Sequence, residues 1–373
     1  MDGIIGAVST LLPFLFVLSM VIFFHELGHW GVARLCGVWV ESFSIGFGRP
    51  LWQRRDAHGT VWKIGWLPLG GYVKFVGDRD VASTPDRKVL EKVKAEAQRH
   101  LFFFRPLWQR ASIVAAGPAA NFLLSLVLLS GLFWVRGQEV HAPAVGEVAP
   151  GSAAEIAGFE PGDFVLEVDD EPVKDFLALA RLVRARPDTP MRIRIVRDGE
   201  ELELIATPAL VEEKDRFGNV YRIGQLGVTP SLAAASVEQR SYGVFGALAR
   251  GTMETGYILR ETLRALWHIV IGRQSVDGLG GPILIAQLSG ETASLGLAPL
   301  FNFIALISIS IGLINLFPIP ILDGGQLLFY AYEAVAGRPL PQRAQAGGML
   351  VGLAVLASLF VFVTWNDIQR LLG

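Results

Sequence analysis

Four uncharged apolar runs, each long enough to cross a lipid bilayer, limit how this chain can fold more than any other feature. They cover residues 4–24, 111–135, 298–322 and 344–365. A transmembrane helix needs about 20 consecutive apolar residues. The sequence therefore predicts a polytopic α-helical membrane protein with four transmembrane helices.

Charge is concentrated in the segments between these runs, and its sign differs between the two longest of them. The chain is only 18% charged, whereas ordinary soluble domains are about 25% charged. Residues 31–110 contain 14 basic and 7 acidic side chains, and residues 136–297 contain 16 basic and 23 acidic ones. Because loops rich in Lys and Arg stay in the cytoplasm, we expect residues 31–110 there and residues 136–297 on the extracytoplasmic side.

The basic segment, residues 37–110, has two different textures. Residues 43–77 combine glycine with alternating aromatic and aliphatic residues, which is typical of β-hairpins. Residues 86–100 predict a solvated helix of mixed charge. We expect the hairpin region to be membrane-associated, and anionic lipid headgroups explain the basic surplus more simply than nucleic acid does.

The acidic segment begins with a compact module of strands and helix at residues 142–208, in which the helix covers residues 175–186. Asp198-Gly199 separates two alternating runs, a strong signal for a β-hairpin. The rest of the segment, residues 209–297, predicts a second hairpin at 215–228 and an amphipathic helix at 241–271. Charged side chains interrupt that helix at intervals, so it is expected to lie on the membrane surface.

The first domain, residues 1–36, carries the pattern with most chemical content, His25-Glu26-Leu27-Gly28-His29. Two histidines four residues apart share one face of a helix, so both imidazoles can bind one zinc ion. Zinc lowers the pKa of a bound water to about 7, and Glu26 is adjacent to take a proton from that water. The alternative is a polar patch at the helix end that pairs with headgroups or another helix. Three ionisable side chains within an apolar run are costly to keep in a membrane unless an ion compensates them, and this favours the metal site.

A catalytic zinc site normally has three protein ligands, and the third apolar segment, residues 298–325, offers the missing one. Pro318 and Pro320 cannot both lie in a regular helix, so the backbone must unwind before Asp323. Irregular backbone at membrane depth requires protein or a water-filled cavity around it. Alternatively, Asp323 only caps the helix that follows. Because the two histidines leave a zinc ion one protein ligand short, we favour ligation by Asp323 over capping.

The two motifs together resemble the site-2 protease family of intramembrane zinc metalloproteases. That family has HExxH on its first core helix and N-x-x-P-x-P-x-x-D-G on a later one, and this chain has both in the same order. The segments FSIGFG, LPLGGYVKF and FFFRPLWQRASIVAAGPAANF resemble the bacterial regulators of sigma-E protease type. The segment PGSAAEIAGFEPGDFVLEVD resembles a PDZ domain. The chain has only one such unit, where the best-known members of the group have two in tandem.

The resemblance implies roles for individual residues. It implies zinc ligation by His25, His29 and Asp323, general base catalysis by Glu26, substrate contact by Asn315, and a substrate-pairing β-loop that contains Gly46 and Gly48. Gly117, Pro118 and Asn121 match a further family pattern, and we assign them to helix packing.

The resemblance also implies a location and substrates. It implies that the chain is a multi-pass protein of the bacterial inner membrane with its active site towards the cytoplasm. It also implies single-span substrates, such as anti-sigma factors after a first cut by an upstream site-1 protease. Remnants of signal peptides are further candidates. The PDZ domain either captures peptides or acts as a size filter against bulky ectodomains.

Two other classes of function remain as alternatives. One is a catalytically idle membrane scaffold that recruits partners through its PDZ domain, although a scaffold has no use for three ligands and a base. The other is a transporter with broken helices, which requires internal repeats that the sequence lacks.

Overall fold

A computed structural model describes residues 2–78, 95–214, 220–233, 237–271, 276 and 280–372. The chain forms two compact units. The first, here called the membrane unit, comprises Met1–Leu132, Leu248–Arg264 and Gly280–Gly373. The second, here called the inserted unit, comprises Phe133–Ala247 and Ala265–Leu279.

Strands are concentrated in two regions of the described chain, residues 40–75 and 138–240, and long helices precede and follow them. The helices are α1 (Asp2–Leu35), α2 (Ala95–Gln98), α3 (Leu107–Arg136), α4 (Ala153–Ile156), α5 (Phe176–Arg184), α6 (Val244–Val270), α7 (Pro282–Ser294), α8 (Leu297–Asn315), α9 (Asp323–Ala336) and α10 (Gln342–Leu372). The strands are β1 (Val40–Arg55), β2 (Val61–Phe75), β3 (Gln138–His141), β4 (Val145–Val148), β5 (Phe164–Val168), β6 (Glu171–Pro172), β7 (Met191–Arg197), β8 (Glu200–Ala206), β9 (Ala209–Lys214), β10 (Val220–Gln225), β11 (Val228–Pro230) and β12 (Val237–Arg240).

Four helices among the described residues are long and apolar enough to span a membrane: Ser9–Leu35 within α1, and α3, α8 and α10. The prediction of four apolar spans is therefore confirmed by length and composition. The third helix ends at Asn315, before the predicted limit at residue 322. Pro318 and Pro320 explain this end, because proline has no N–H to donate and its ring clashes with the preceding turn.

The glycine-rich region after α1 is a long antiparallel hairpin of β1 and β2, as the sequence predicts. Buried Val40 and Phe43 of β1 and Val73 of β2 belong to one core cluster with Ala33 of α1 and Ile113 of α3. This cluster holds β2 beside the end of the first membrane helix. Of the predicted helix at 86–100, residues 86–94 lie outside the described part of the chain.

The inserted unit is built on a four-stranded antiparallel sheet in the order β6-β5-β7-β8, with α5 packed against it. The predicted hairpin turn lies between β7 and β8, where Asp198 and Gly199 have φ of 50° and 88°. Strand β11 pairs with β4, so the fold of this unit includes residues beyond the predicted end at 208. Strands β9 and β10 pair around the predicted second hairpin, whose tip at 215–219 lies outside the described residues.

A buried carboxylate links the last membrane helix to the start of α7. The side chain of Asp367 in α10 accepts hydrogen bonds from the backbone N–H groups of Gly281, Ile283 and Leu284, at 2.9, 2.9 and 3.1 Å. The N-cap residue of α7 is Gly281, which has no side chain to satisfy those N–H groups itself. Asp367 therefore supplies from a distant helix the cap that α7 lacks.

We expect Asp367→Ala to lower the stability of the membrane unit. Three backbone N–H groups would lose their acceptor, at a cost of about 1–3 kcal/mol for each one that is left buried without a partner. Thermal unfolding of the purified protein in detergent measures the effect. Leu371→Ala is the control, because Leu371 is on the same helix and 57% exposed. Equal unfolding midpoints for the two variants would contradict the capping role.

Candidate metal centre and active site

One membrane helix, α1, and the start of α9 bring three potential ligands together. His25 and His29 lie one turn apart on α1, and Asp323 is the first residue of α9. Asp323 Oδ2 lies 3.2 Å from His25 Nε2 and 3.4 Å from His29 Nε2. The two imidazole Nε2 atoms are 3.3 Å apart. The three side chains are all largely buried, with exposed fractions of 12%, 13% and 17%.

This triangle of atoms fits a zinc ion. In a tetrahedral site with bonds of about 2.0–2.1 Å, neighbouring ligand atoms lie about 3.3–3.4 Å apart. Asp323 Oδ2 is also buried without a hydrogen-bond partner among the described residues, which is costly unless a cation faces it. His25, His29 and Asp323 are the group of His, Cys, Asp and Glu side chains that the described structure brings close enough to hold a metal ion.

The helix-capping interpretation of Asp323 can be compared directly with the start of α9. The N-cap residue of α9 is Leu322, and no side chain forms a cap hydrogen bond there. Asp323 instead turns its Oδ2 atom towards the two imidazoles. The geometry of this carboxylate therefore favours ligation over capping.

Glu26 and the three potential ligands line one cavity of about 270 Å³ in the membrane unit. Glu26 is 8% exposed. The walls come from β2, the start of α3, the end of α8, α9 and α10; they include Gly71, Tyr72, Val73, Ile113, Asn315, Gln326, Tyr330 and Met349.

Helix α3 supports both histidines from behind. His29 Nδ1 donates a hydrogen bond to the backbone oxygen of Ile113 at 2.8 Å. The side-chain amide of Asn121 lies 3.2 Å from His25 Nδ1. A Cβ atom on Gly117 would come within 2.3 Å of His29 Nε2, so only glycine lets α3 approach the imidazoles this closely. The sequence pattern of Gly117 and Asn121 was visible, but packing alone was its predicted role.

The residues predicted to contact substrate lie in two places. Asn315 lines the cavity, and its amide nitrogen donates to Ile311 O at 3.0 Å. Gly46 and Gly48 lie on β1 with φ of 82° and 84°, a region that favours glycine. They are not among the residues that line the cavity.

One buried ion pair beside the site had no signal in the sequence. Arg110 at the start of α3 makes two hydrogen bonds to Glu333 of α9, at 2.5 and 3.2 Å. The Arg110 guanidinium also lies over the ring of Tyr330, a cavity residue, at 5.0 Å. This pair joins α9, the helix that begins with Asp323, to α3, which supports the histidines.

An α-helical protein with membrane-spanning helices and an HExxH helix facing an aspartate belongs to the class of membrane-embedded metallopeptidases. The comparison with family models agrees, since residues 13–359 match the model of peptidase family M50. The chain belongs to peptidase family M50. The prediction of a site-2-type zinc metalloprotease is thereby confirmed.

Curated relatives match over almost the whole chain. A zinc metalloprotease by name, from Rhizobium meliloti, is 44% identical over 98% of this chain and 97% of its own length. Metalloprotease MmpA of Caulobacter vibrioides is 38% identical over 98% of this chain and 97% of its own. The regulator of sigma E protease of Salmonella typhi is 32% identical, with 97% and 98% covered. All three carry protease names, and none supports the idle scaffold.

Among solved structures, the PDZ domain of an SdrC-like protein from Listeria monocytogenes matches 24% of this chain and 85% of its own. The sequence identity is 13% and the TM-score is 0.19. A similarity of that size assigns no fold, so the PDZ interpretation of the inserted unit stays a prediction.

Proposed function

We propose that this protein hydrolyses peptide bonds of single-span membrane proteins at the cavity formed by His25, Glu26, His29 and Asp323. The observation that carries the proposal is the triangle of ligand atoms, 3.2–3.4 Å on each side, two of which lie on a membrane-spanning helix beside a buried glutamate. Such a set of donors fits zinc with one position open for chemistry.

In this mechanism His25, His29 and Asp323 hold the zinc ion through two nitrogens and one oxygen. When bound there, the ion would supply Lewis-acid polarisation of the scissile carbonyl and would lower the pKa of water to about 7. Glu26 accepts the proton that the attacking water loses and then passes it to the nitrogen of the leaving amine. The burial of Glu26 keeps bulk water away from this proton transfer.

Substrate must reach the site with its backbone extended, because the carbonyl groups of a helix are already hydrogen-bonded. The β1–β2 hairpin, which borders the cavity through Gly71, Tyr72 and Val73, offers strand backbone for pairing with an unwound segment. In this proposal Gly46 and Gly48 belong to the pairing loop, and the Asn315 side chain contacts the substrate backbone.

The name of the Salmonella relative suggests the class of substrate. We propose anti-sigma factors already trimmed by an upstream site-1 protease, and remnants of signal peptides, as substrates in the bacterial inner membrane. In this arrangement the active site faces the cytoplasm and the inserted unit is extracytoplasmic. The inserted unit acts as a PDZ module that excludes bulky ectodomains or captures peptides.

Removal of metal is the direct test of the proposed site. We expect one zinc ion per chain in the purified full-length protein, and loss of cleavage of a single-span model substrate after treatment with a chelator such as 1,10-phenanthroline. Added zinc should restore cleavage. His58→Ala should retain the metal, because His58 lies on the exposed hairpin turn, whereas His25→Ala should lose it. Cleavage by protein shown to be free of metal would overturn the proposal.

A further inference from the structure

Asn121 is fully buried in α3, and it is anchored there by its backbone. Its backbone oxygen accepts hydrogen bonds from two hydroxyl groups, Ser125 Oγ at 3.1 Å and Ser308 Oγ at 2.9 Å. These bonds leave the side-chain amide free to act elsewhere. That amide lies 3.2 Å from Nδ1 of His25, on the side of the imidazole away from Asp323.

The protonation of the His25 imidazole determines whether it needs the oxygen or the nitrogen of the Asn121 amide as its partner. His25 turns Nε2 towards Asp323, so Nε2 is the nitrogen available to a metal ion. A neutral imidazole that binds metal through Nε2 carries its proton on Nδ1. That N–H requires an acceptor, and in the described part of the chain the Asn121 amide is the group that faces Nδ1.

The amide of Asn121 can present its oxygen without losing another contact. Asn121 Oδ1 is buried and has no hydrogen-bond partner among the described residues, and the described bond of Nδ2 is to His25 itself. A half-turn of the amide exchanges the two atoms. Presenting Oδ1 to His25 Nδ1–H therefore gives this oxygen a partner, while Nδ2 takes the position in which Oδ1 has none.

His29 shows the same requirement met in a different way. Its Nδ1 faces the backbone oxygen of Ile113 at 2.8 Å. A carbonyl oxygen can only accept, so the proton of His29 must be on Nδ1, and Nε2 is free for metal. The tautomer of His29 is thus set by backbone, whereas that of His25 depends on one side chain.

We infer that Asn121 is a positioning residue that holds His25 in the tautomer whose Nε2 binds zinc. This inference rests on the proposed metal site and goes beyond it, since it assigns to Asn121 a role in zinc affinity as well as in helix packing. Partners of this kind orient metal-bound histidines in other proteins, and their loss typically weakens metal binding about 10–100-fold.

Three variants of the full-length protein in detergent test the inference. Asn121→Leu removes the acceptor at similar size, and Asn121→Asp keeps an acceptor oxygen. Ser308→Ala is the matched control, because it removes a bond to the Asn121 backbone and leaves the amide in place. Zinc affinity is measured by competition with a chelator of known affinity, and thermal unfolding of each variant reports packing.

We expect Asn121→Leu to bind zinc about 10–100-fold more weakly than wild type. Asn121→Asp and Ser308→Ala should stay within about threefold of it, since both keep an acceptor for His25. Wild-type affinity in Asn121→Leu, or equal weakening in the leucine and aspartate variants, would overturn the inference. A purely structural role would lower the unfolding midpoint of Ser308→Ala and Asn121→Leu alike and leave their zinc affinities similar.

A second readout measures the wild-type protein itself and uses a variant only to assign its signals. Nitrogen-15 NMR of the zinc-loaded wild type, with labelled histidine, should show His25 protonated on Nδ1, and His25→Ala assigns the signal. A His25 protonated on Nε2 in the zinc-loaded protein would overturn the inference while the proposed function stands. Wild-type protein that binds no zinc would overturn both together.

Discussion

Replacing Glu26 by glutamine should abolish most of the peptidase activity and leave the zinc content of the protein unchanged. Glutamine has nearly the size of glutamate but cannot accept a proton, and general acid–base catalysis contributes about 10²–10⁴-fold to a rate. Glu26 is outside the triangle of ligand atoms, which His25, His29 and Asp323 form. The loss should therefore appear in kcat rather than in metal binding.

The measurement is cleavage of a single-span model substrate by purified Glu26→Gln, with zinc content and unfolding midpoint determined on the same preparation. Glu147→Gln is the matched control, because Glu147 is exposed on β4 of the inserted unit. Only the Glu26 variant should lose activity. More than a tenth of wild-type activity in Glu26→Gln, with zinc bound, would show that another group moves the proton.

Replacing Asp323 by alanine should remove zinc from the protein, and cleavage with it. The variant retains two of the three ligands. Loss of a hydrogen-bond partner of a ligand weakens metal binding about 10–100-fold, and we expect the zinc affinity to fall by more than that when a ligand itself is lost. Asp323 Oδ2 has no hydrogen-bond partner among the described residues. In the zinc-free protein this oxygen contacts the two imidazoles, so its removal should lower the unfolding midpoint of zinc-free protein less than the removal of zinc lowers that of wild type.

Zinc stoichiometry after dialysis against a chelator, together with the unfolding midpoint of zinc-free protein, tests this expectation. Asp170→Asn is the control, because the Asp170 side chain is 80% exposed in the inserted unit. A full complement of zinc in Asp323→Ala would remove Asp323 from the site. A large drop in the midpoint of the zinc-free variant would assign it a structural role instead.

Much of the candidate site was predictable because its signals are local in the sequence. The four-residue spacing of His25 and His29 places them on one face of any helix. Pro318 and Pro320 end a helix wherever they occur, which singled out Asp323 in an otherwise apolar segment. These inferences need only the geometry of a single helix, and the structure brings all three side chains within 3.4 Å of one another.

Contacts between segments that are distant in the sequence could not be predicted from local patterns. Arg110 and Glu333 are 223 residues apart and form a buried pair, although an arginine and a glutamate in a sequence carry no sign of which partner they will find. Asp367 caps α7 from a helix that begins 60 residues after Pro282. The boundary of the inserted unit was likewise hidden, because the short strand β11 is identified by its pairing with β4.

The sequence by itself determined the class of this protein and three potential ligands with their base, because bilayer thickness, helix periodicity and the conformational limits of proline act on local sequence. Tertiary structure alone decided how the imidazoles are held. Ile113 O and the Asn121 amide reach the two histidines from another helix, and the tautomer of an imidazole depends on whatever group faces its second nitrogen. No local pattern contains that information.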